Sequence, residues 1–414
     1  MNTLLTNIKQ LLQIREGESS LLRGVHMQEL PLIENAFLYI KDGLIEAYGP
    51  MEQMHDHYVA EVLIDCTDRV VMPTWVDSHT HLVYAGNRVQ EFVDRINGLT
   101  YEQIFERGGG ILNSADRLQK ATEEELYDQA EKRLLEVIAQ GTGAIEIKSG
   151  YGLTTESELK MLRVIKTLKD NYPSLPIKAT FLGAHAYPAA YKNNPKGYID
   201  LICEEMIPAV AQEQLADYVD AFLETGYFSV EDTEKIILAG QKHGLKAKIH
   251  VNQFTAINGI EMCVKHNVRS VDHLEIVTEK DIEALQNSNT IPVALPTCSY
   301  FISIPYTPAR QMLQANLPLA LASDYNPGTT PSGNMNFVVA TACIKMKLTP
   351  EEAVNAATLN AAFAMDVEDK VGSITKGKFG NVIITKPIQS YYEIPYRFGD
   401  HLIEKVLLQG KEIQ

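Results

Sequence analysis

The sequence has no C-x-x-C pair, and its five cysteines (Cys66, Cys203, Cys263, Cys298 and Cys343) are odd in number and scattered. That pattern excludes a disulfide framework and a thiolate zinc finger, and it fits reduced thiols in a cytosol. No run is long and apolar enough to span a bilayer. The first residues, MNTLLTNIKQLLQIREGE, alternate apolar with polar side chains and lack the continuous apolar stretch of a secretory leader. The expected location is therefore cytoplasmic, with no membrane partner. Positive charge is also scarce: 37 Lys and Arg stand against 53 Asp and Glu, a formal net charge of −16. Without a basic stripe to offset phosphate repulsion, a nucleic-acid partner is excluded. An anionic substrate would need a local Arg or Lys to hold it against that field. No G-x-G-x-x-G follows the first apolar strand, which argues against a dinucleotide fold.

What is present is a recurring order of short apolar strand, polar loop and amphipathic helix. Strands are predicted at 70–76, 144–148, 177–182, 219–223, 246–249, 270–271, 291–295 and 317–322. Capping boxes at Thr122-x-x-Glu125, Thr155-x-x-Glu158 and Thr349-x-x-Glu352 mark helix starts between or after them, and Ser229 opens a helix that Gly244 closes. Eight strands alternating with helices predict an α/β fold of the (β/α)₈ barrel type, not an open doubly wound sheet. The flanks read as short strands and turns, as in AFLYIKDGLIEAYGP and GKFGNVIITK. Neither is long enough to bury a core alone, so residues 1–65 and 372–414 are expected to pair into one small, discontinuous β-sandwich beside a catalytic barrel at 66–371.

Of the eleven histidines, His26, His55, His57, His243, His266 and His401 lie in polar or helical surroundings and read as solvated. The other five, His79, His81, His185, His250 and His273, fall at or just after the C-terminal ends of predicted barrel strands, as does Asp324. In a barrel that rim carries the active site. His79 and His81 are two apart on an extended segment, so both imidazoles point to one side. With His250 and Asp324 on the same rim, a four-ligand site of three nitrogens and one oxygen becomes available, suited to zinc or iron. His273 reads as a fifth ligand, a group that orients and deprotonates an attacking water, or a core histidine on a backbone carbonyl.

Longer segments carry a resemblance. HTHLVYAGNRVQEF (79–92), GGGI (108–111), EIKSGYGLT (146–154), TFLGAHA (180–186), DHLE (272–275) and SDYNPGT (323–329) are spread over the whole barrel. Together they resemble the amidohydrolase superfamily. Within it they are most similar to the enzymes that hydrolyse the cyclic amide-like C–N bond of 4-imidazolone-5-propanoate to N-formimidoyl-L-glutamate in histidine degradation. The resemblance implies one divalent or trivalent metal ion, zinc or iron, on His79, His81, His250 and Asp324. It implies catalytic roles for His273, Asp324 and Gln253, and substrate contacts from Arg88, Tyr151, His185, Gln253, Asn326, Gly328 and Thr329. It implies a small anionic heterocyclic substrate and, by analogy of architecture, a homodimer. The residues suit these roles independently. Arg88 offers a planar fork to a carboxylate, although Glu91 and Asp94 lie within reach as salt-bridge partners. Gly150 and Gly152 let the chain turn sharply around Tyr151. The backbone amides of the NPGT turn are candidates to meet a carboxylate.

The resemblance breaks in four places. The family has H-A-D-E where this chain has His250-Val251-Asn252-Gln253, so two acids have become amides, which donate and accept hydrogen bonds but carry no proton. Related deaminases shuttle a proton on that glutamate, so Gln253 argues against purine- or pyrimidine-type deamination. A deaminase or another cyclic amidase is still the rival enzyme class, and a ligand-binding protein on a decayed barrel is the non-enzymatic one. Ser323 stands where the family commonly has glycine, and Leu295-Pro296-Thr297 departs from the family in the strand-seven loop. The fourth strand ends in Glu224 without a lysine, which favours one metal over two. Lys148 reads as a salt-bridge partner of an acid on the rim.

Overall fold

The computed structural model describes residues 1–17, 21–99, 103 and 109–413; Gly108 of the GGGI segment lies outside them. The strands are β1 (Thr3–Leu12), β2 (Leu32–Lys41), β3 (Leu44–Pro50), β4 (Val62–Asp65), β5 (Val70–Pro73), β6 (Trp75–Asp77), β7 (Thr142–Lys148), β8 (Ile177–Ala184), β9 (Tyr218–Leu223), β10 (Lys246–Val251), β11 (Ser270–His273), β12 (Ile291–Ala294), β13 (Ala320–Leu321), β14 (Val382–Thr385), β15 (Ile403–Leu408) and β16 (Lys411–Glu412). Strands β6 to β13 pair side by side in chain order, every pair parallel.

Closure lies just past the last residues of β6 and β13. Thr80 bridges Tyr325 in parallel, His81 N donates to Tyr325 O at 2.8 Å, and Asp324 N donates to His79 O at 3.0 Å. The buried Asp77 carboxylate reinforces the seam by accepting Ser323 N at 3.0 Å and Ser323 Oγ at 2.6 Å. Thus the serine that departs from the family's glycine ties the two closing strands together. The fold is the expected (β/α)₈ barrel, and its seam is the rim that carries His79, His81 and Asp324.

Two predicted strands differ in the structure, both because of proline. The strand expected at 70–76 splits at Thr74: β5 pairs with β1 and β14 of the flanking sheet, and only β6 enters the barrel. Pro73 has no N–H to continue a ladder, and Thr74 N turns to Asn381 O at 3.1 Å. The strand expected at 317–322 contracts to β13, because Pro318 interrupts it and Leu317 N closes a turn on Met312 O.

The flanks join in one eight-stranded sheet of order β16-β15-β14-β5-β1-β2-β3, with β4 added in parallel on β1. Leu5, Leu38, Ile40, Val71, Ile384 and Leu407, drawn from both ends of the chain, share a single core, which is why neither flank needs a core of its own. Among the described residues no helix is long and apolar enough to cross a membrane.

Capping boxes hold at Thr122 with Glu125 and at Thr349 with Glu352, and Ser229 caps its helix as expected. The third box does not form. Thr154, not Thr155, caps the helix Thr155–Asn171, because Glu158 is taken by a loop described below. His266 also differs from expectation: it is half-buried and bonded to Glu234 Oε1 at 2.6 Å.

Replacing Asp77 with Ala leaves the buried Ser323 N–H without its acceptor. The variant is expected to lose roughly 1–3 kcal/mol of stability, read as a lower urea midpoint in equilibrium unfolding.

Candidate metal centre and substrate pocket

A strand turns alternate residues to one side, and in this barrel the inward positions are polar. Asp77, Glu146 and Lys148, Asp220, Lys248 and His250, and Ser270 and Asp272 all lie on barrel strands and are buried. Just beyond them the backbone bends to aim side chains at the rim. Asn252, His273, Leu274 and Asp324 all have positive φ (58°, 88°, 62° and 55°). Such conformations are uncommon for residues other than glycine and gather where the surrounding structure enforces them.

His79, His81 and His250 meet at the centre. One ligand atom from each lies within 4.8 Å of the others, and all three residues are buried. His79 Nδ1 donates to Asp272 Oδ2 at 2.7 Å and His250 Nδ1 donates to Asp220 Oδ2 at 2.8 Å. Those bonds fix the tautomers and leave both Nε2 atoms as bare lone pairs. His250 Nε2 nonetheless faces His81 Nε2 at 3.3 Å, and Asp324 Oδ1 lies 3.6 Å from Nε2 of His79 and of His81. His79 Nε2 has no hydrogen-bond partner among the described residues. Burial first, then the neighbouring cationic groups, hold the pKa values of His79 and His81 well below the ordinary imidazole range. Three imidazoles and a carboxyl group that converge on one point form a donor set for a cation, and three nitrogens with one oxygen suit zinc or iron. The imidazole–carboxylate pairs behind His79 and His250 are the support such ligands ordinarily have.

Under this cluster lies a floor of buried charge. Lys148 Nζ reaches Glu146 Oε1 at 2.6 Å, Asp220 Oδ2 at 3.0 Å and Asp272 Oδ2 at 3.9 Å. Lys248 Nζ donates to Glu146 Oε2 and, at 2.6 Å, to Ser78 O. Lys148 is therefore not on the rim, as expected from sequence, but wholly inside the barrel. Burial alone would lower its pKa; Asp220, Glu146 and Asp272 more than reverse this and raise it.

Above the cluster opens a cavity of about 540 Å³. Its wall brings together the residues predicted from sequence with two exceptions: His79 and Gly328 are not part of it. Arg88 extends into the cavity while its Nε donates to Glu91 Oε2 at 2.9 Å, so the salt bridge and the pocket position coexist. Glu91 is itself fixed by Gly110 N at 3.0 Å. Gly328 makes room for this arrangement, since a Cβ there would stand 2.1 Å from Arg88 Nη1. The expected free amides of the NPGT turn are not free. Gly328 N and Thr329 N both donate to Asn326 Oδ1, at 2.8 and 2.7 Å, and the turn is held from within.

Tyr151 owes its position to Glu158, whose buried carboxylate accepts Gly150 N, Gly152 N and Leu153 N at 3.0, 2.8 and 2.8 Å. His185 Nδ1 donates to Gly150 O at 3.0 Å, which turns Nε2 the other way, and its ring stacks on His81 at 5.1 Å. Burial pushes its pKa down to about 3, so the ring is neutral. His273 Nδ1 faces Glu275 Oε1 at 3.3 Å, and Ser299 Oγ donates to the same oxygen at 3.1 Å. Gln253 Nε2 donates to Cys298 Sγ at 3.5 Å, and burial keeps that cysteine a thiol. Glu224, at the end of β9, accepts Phe254 N at 2.8 Å and so fixes the turn that follows Gln253.

The sequence reading anticipated Glu91 as a partner of Arg88 but missed Asp220, Asp272, Glu146, Lys248 and Glu275 as partners of the site. A signal existed for the strand residues: an acid or lysine at alternate positions of otherwise apolar strands, as in YVDAFL and KAKIHV. Glu158→Ala would orphan three buried N–H groups. It is expected to destabilise the fold by about 2–4 kcal/mol and to release Tyr151, observable as a lower unfolding midpoint with a change in tyrosine near-ultraviolet dichroism.

Comparison with known proteins agrees with this geometry. A model of the amidohydrolase family matches residues 70–413. The chain is 64% identical over 413 residues to an imidazolonepropionase of Flavobacterium johnsoniae, and 63% identical over 413 residues to that of Flavobacterium psychrophilum. Each alignment covers 100% of both chains. Among solved structures, an adenosine deaminase from Xanthomonas campestris with bound zinc superimposes with a TM-score of 0.70 at 15% identity, over 99% of this chain and 92% of that one. At that identity the likeness speaks for the fold alone.

Proposed function

The chain belongs to the amidohydrolase family, and we propose that its pocket hydrolyses the ring of 4-imidazolone-5-propanoate to N-formimidoyl-L-glutamate, a step of histidine degradation. The observation that carries this reading is the pairing, across one cavity, of a three-imidazole, one-carboxylate cluster with a buried arginine. A cluster of that kind suits hydrolysis, and the arginine suits a substrate with an anionic arm. The names of the full-length relatives point the same way.

His79, His81, His250 and Asp324 would hold a single metal ion, zinc or iron. When bound, it supplies the Lewis acidity that makes a water nucleophilic and polarises a carbonyl. The rest belongs to the chain. Arg88, held by Glu91, binds the propanoate carboxylate through its planar fork. Tyr151 and His185 orient the planar ring, Asn326 and Thr329 line the wall, and Gly328 behind it leaves room for Arg88. His273, with Nδ1 against Glu275, takes the proton of the attacking water on its other nitrogen. Asp324 then takes the second proton of that water and delivers it to the ring nitrogen as the bond between that nitrogen and the carbonyl carbon breaks, leaving the new carboxylate on the product and the first proton on His273. Gln253 cannot carry a proton, so its part is a hydrogen bond to the ring. This also disfavours deamination of a base.

The same reading assigns residues 66–371 to the catalytic domain, apart from β5, which joins residues 1–65 and 372–414 in the sheet of the satellite. It assigns the enzyme to the cytoplasm as a homodimer, which sedimentation at twice the chain mass tests.

Purified protein loaded with zinc or ferrous iron is expected to consume imidazolone propanoate, followed by loss of its ultraviolet absorbance. No turnover above the spontaneous rate with metal bound would overturn the substrate assignment. Removal of metal with a chelator should abolish turnover and metal return should restore it, with elemental analysis identifying the ion. Arg88→Met is expected to raise KM roughly 10- to 100-fold, the worth of a charged hydrogen bond, with a smaller change in kcat.

A further inference from the structure

The charged floor of the barrel has a property that the pocket chemistry leaves unused. Asp272 and Asp220 come from different strands and hold different imidazoles, yet each turns the same kind of oxygen to the same cation. Asp272 Oδ2 accepts His79 Nδ1 at 2.7 Å and lies 3.9 Å from Lys148 Nζ. Asp220 Oδ2 accepts His250 Nδ1 at 2.8 Å and lies 3.0 Å from Lys148 Nζ. The other oxygen of each is occupied locally. Asp220 Oδ1 accepts Ala221 N and His250 N, at 2.7 and 3.1 Å. Asp272 Oδ1 accepts Ser270 Oγ at 2.5 Å. Lys148, Asp220 and Asp272 side chains have no solvent exposure, so water cannot screen them or substitute for any of these contacts.

We propose that Lys148 is a positioning residue that couples the two halves of the metal centre, holding both Asp272 and Asp220 and through them the imidazoles of His79 and His250. The inference rests on the metal-site reading above. Lys148 touches no ligand directly. It acts by setting where two carboxylates sit in a low-dielectric interior, in which it shares with Lys248 the task of offsetting repulsion among Glu146, Asp220 and Asp272 and is the lysine that contacts both aspartates. Partners behind a metal-binding histidine ordinarily govern affinity by about one to two orders of magnitude. A single lysine serving two such partners reaches both a β6-side and a β10-side ligand.

A structural role in the core and a positioning role separate in a pair of variants. Lys148→Met keeps the length of the stem and removes the charge from both aspartates. Glu146→Gln removes a charge from the same floor but leaves Lys148 on Asp220 and Asp272. Zinc affinity is measured by competition with a chromophoric chelator, and the visible spectrum of the cobalt(II)-loaded protein reports ligand geometry. Wild type that binds neither ion sinks the metal site itself, and this inference with it. With wild type binding, Lys148→Met is expected to lose at least tenfold in zinc affinity and to alter the cobalt spectrum, while Glu146→Gln stays within about threefold of wild type. Equal losses in the two variants, or Lys148→Met within threefold of wild type, overturn the proposal. Where Lys148→Met does not fold, the double variant Lys148→Met/Glu146→Gln removes one charge of each sign and is compared with Glu146→Gln. About a tenfold further loss of zinc affinity in the double variant supports the positioning role, and a smaller loss overturns it.

Discussion

Much of this molecule follows from one electrostatic constraint, the need to keep ionised groups inside a closed barrel. Two lysines and three carboxylates, Lys148, Lys248, Glu146, Asp220 and Asp272, are shielded from solvent and contact one another. Isolated, any one of them would be costly there, and breaking a buried pair by removing one member typically costs about 3–5 kcal/mol. As a network each charge has an opposite partner, and the network ends upward on two imidazoles instead of on water. The barrel interior therefore contributes less as an apolar core than as a rigid mount. The apolar packing lies outside it, between strands and helices, where Leu134, Leu162, Ile165 and Ile237 are buried.

The rim obeys a different rule. Closure at β6 and β13 uses backbone bonds of His79, His81 and Asp324, so the residues that complete the sheet also build the imidazole–carboxylate cluster. Their side chains gain fixed directions from that pairing, and positive φ at Asn252, His273 and Asp324 turns the following segments outward. The pocket above is held by carboxylates that do not line the cavity: Glu91 behind Arg88, Glu158 behind Tyr151, Glu275 behind His273. In a chain of net charge −16, acids near an anion site would repel the ligand if they were unpaired. Each of these accepts a hydrogen bond, and two cations, Arg88 and Arg95, line the cavity.

The legibility of the site from sequence tracks how local its geometry is. His79 and His81 could be placed together because a strand fixes residues two apart on one side. The ends of strands were readable from apolar runs, and that alone put His185, His250, His273 and Asp324 on one rim. Glu158 was misread because a capping box and a loop anchor share the same sequence signature; only the three N–H groups of the KSGYGL loop distinguish them. His266 was misread because its partner, Glu234, lies 32 positions away. The strands at 70–76 and 317–322 ran too long because the apolar pattern outweighed the prolines within them.

The sequence by itself determined the barrel, its strand-end histidines, the strand-rich flanks that had to share a core, and the need for one cation against an acidic chain. Those conclusions rest on periodicity, length and charge, which are properties of neighbouring residues. Tertiary structure alone decided which acid stands behind which imidazole, that Lys148 lies inside and not on the rim, that Gly328 makes room for Arg88, and that the amides of the NPGT turn are already bound. Each of these depends on distances between strands far apart in the chain. In a buried, low-dielectric interior, a difference of an ångström or two between two charges decides whether they form a pair.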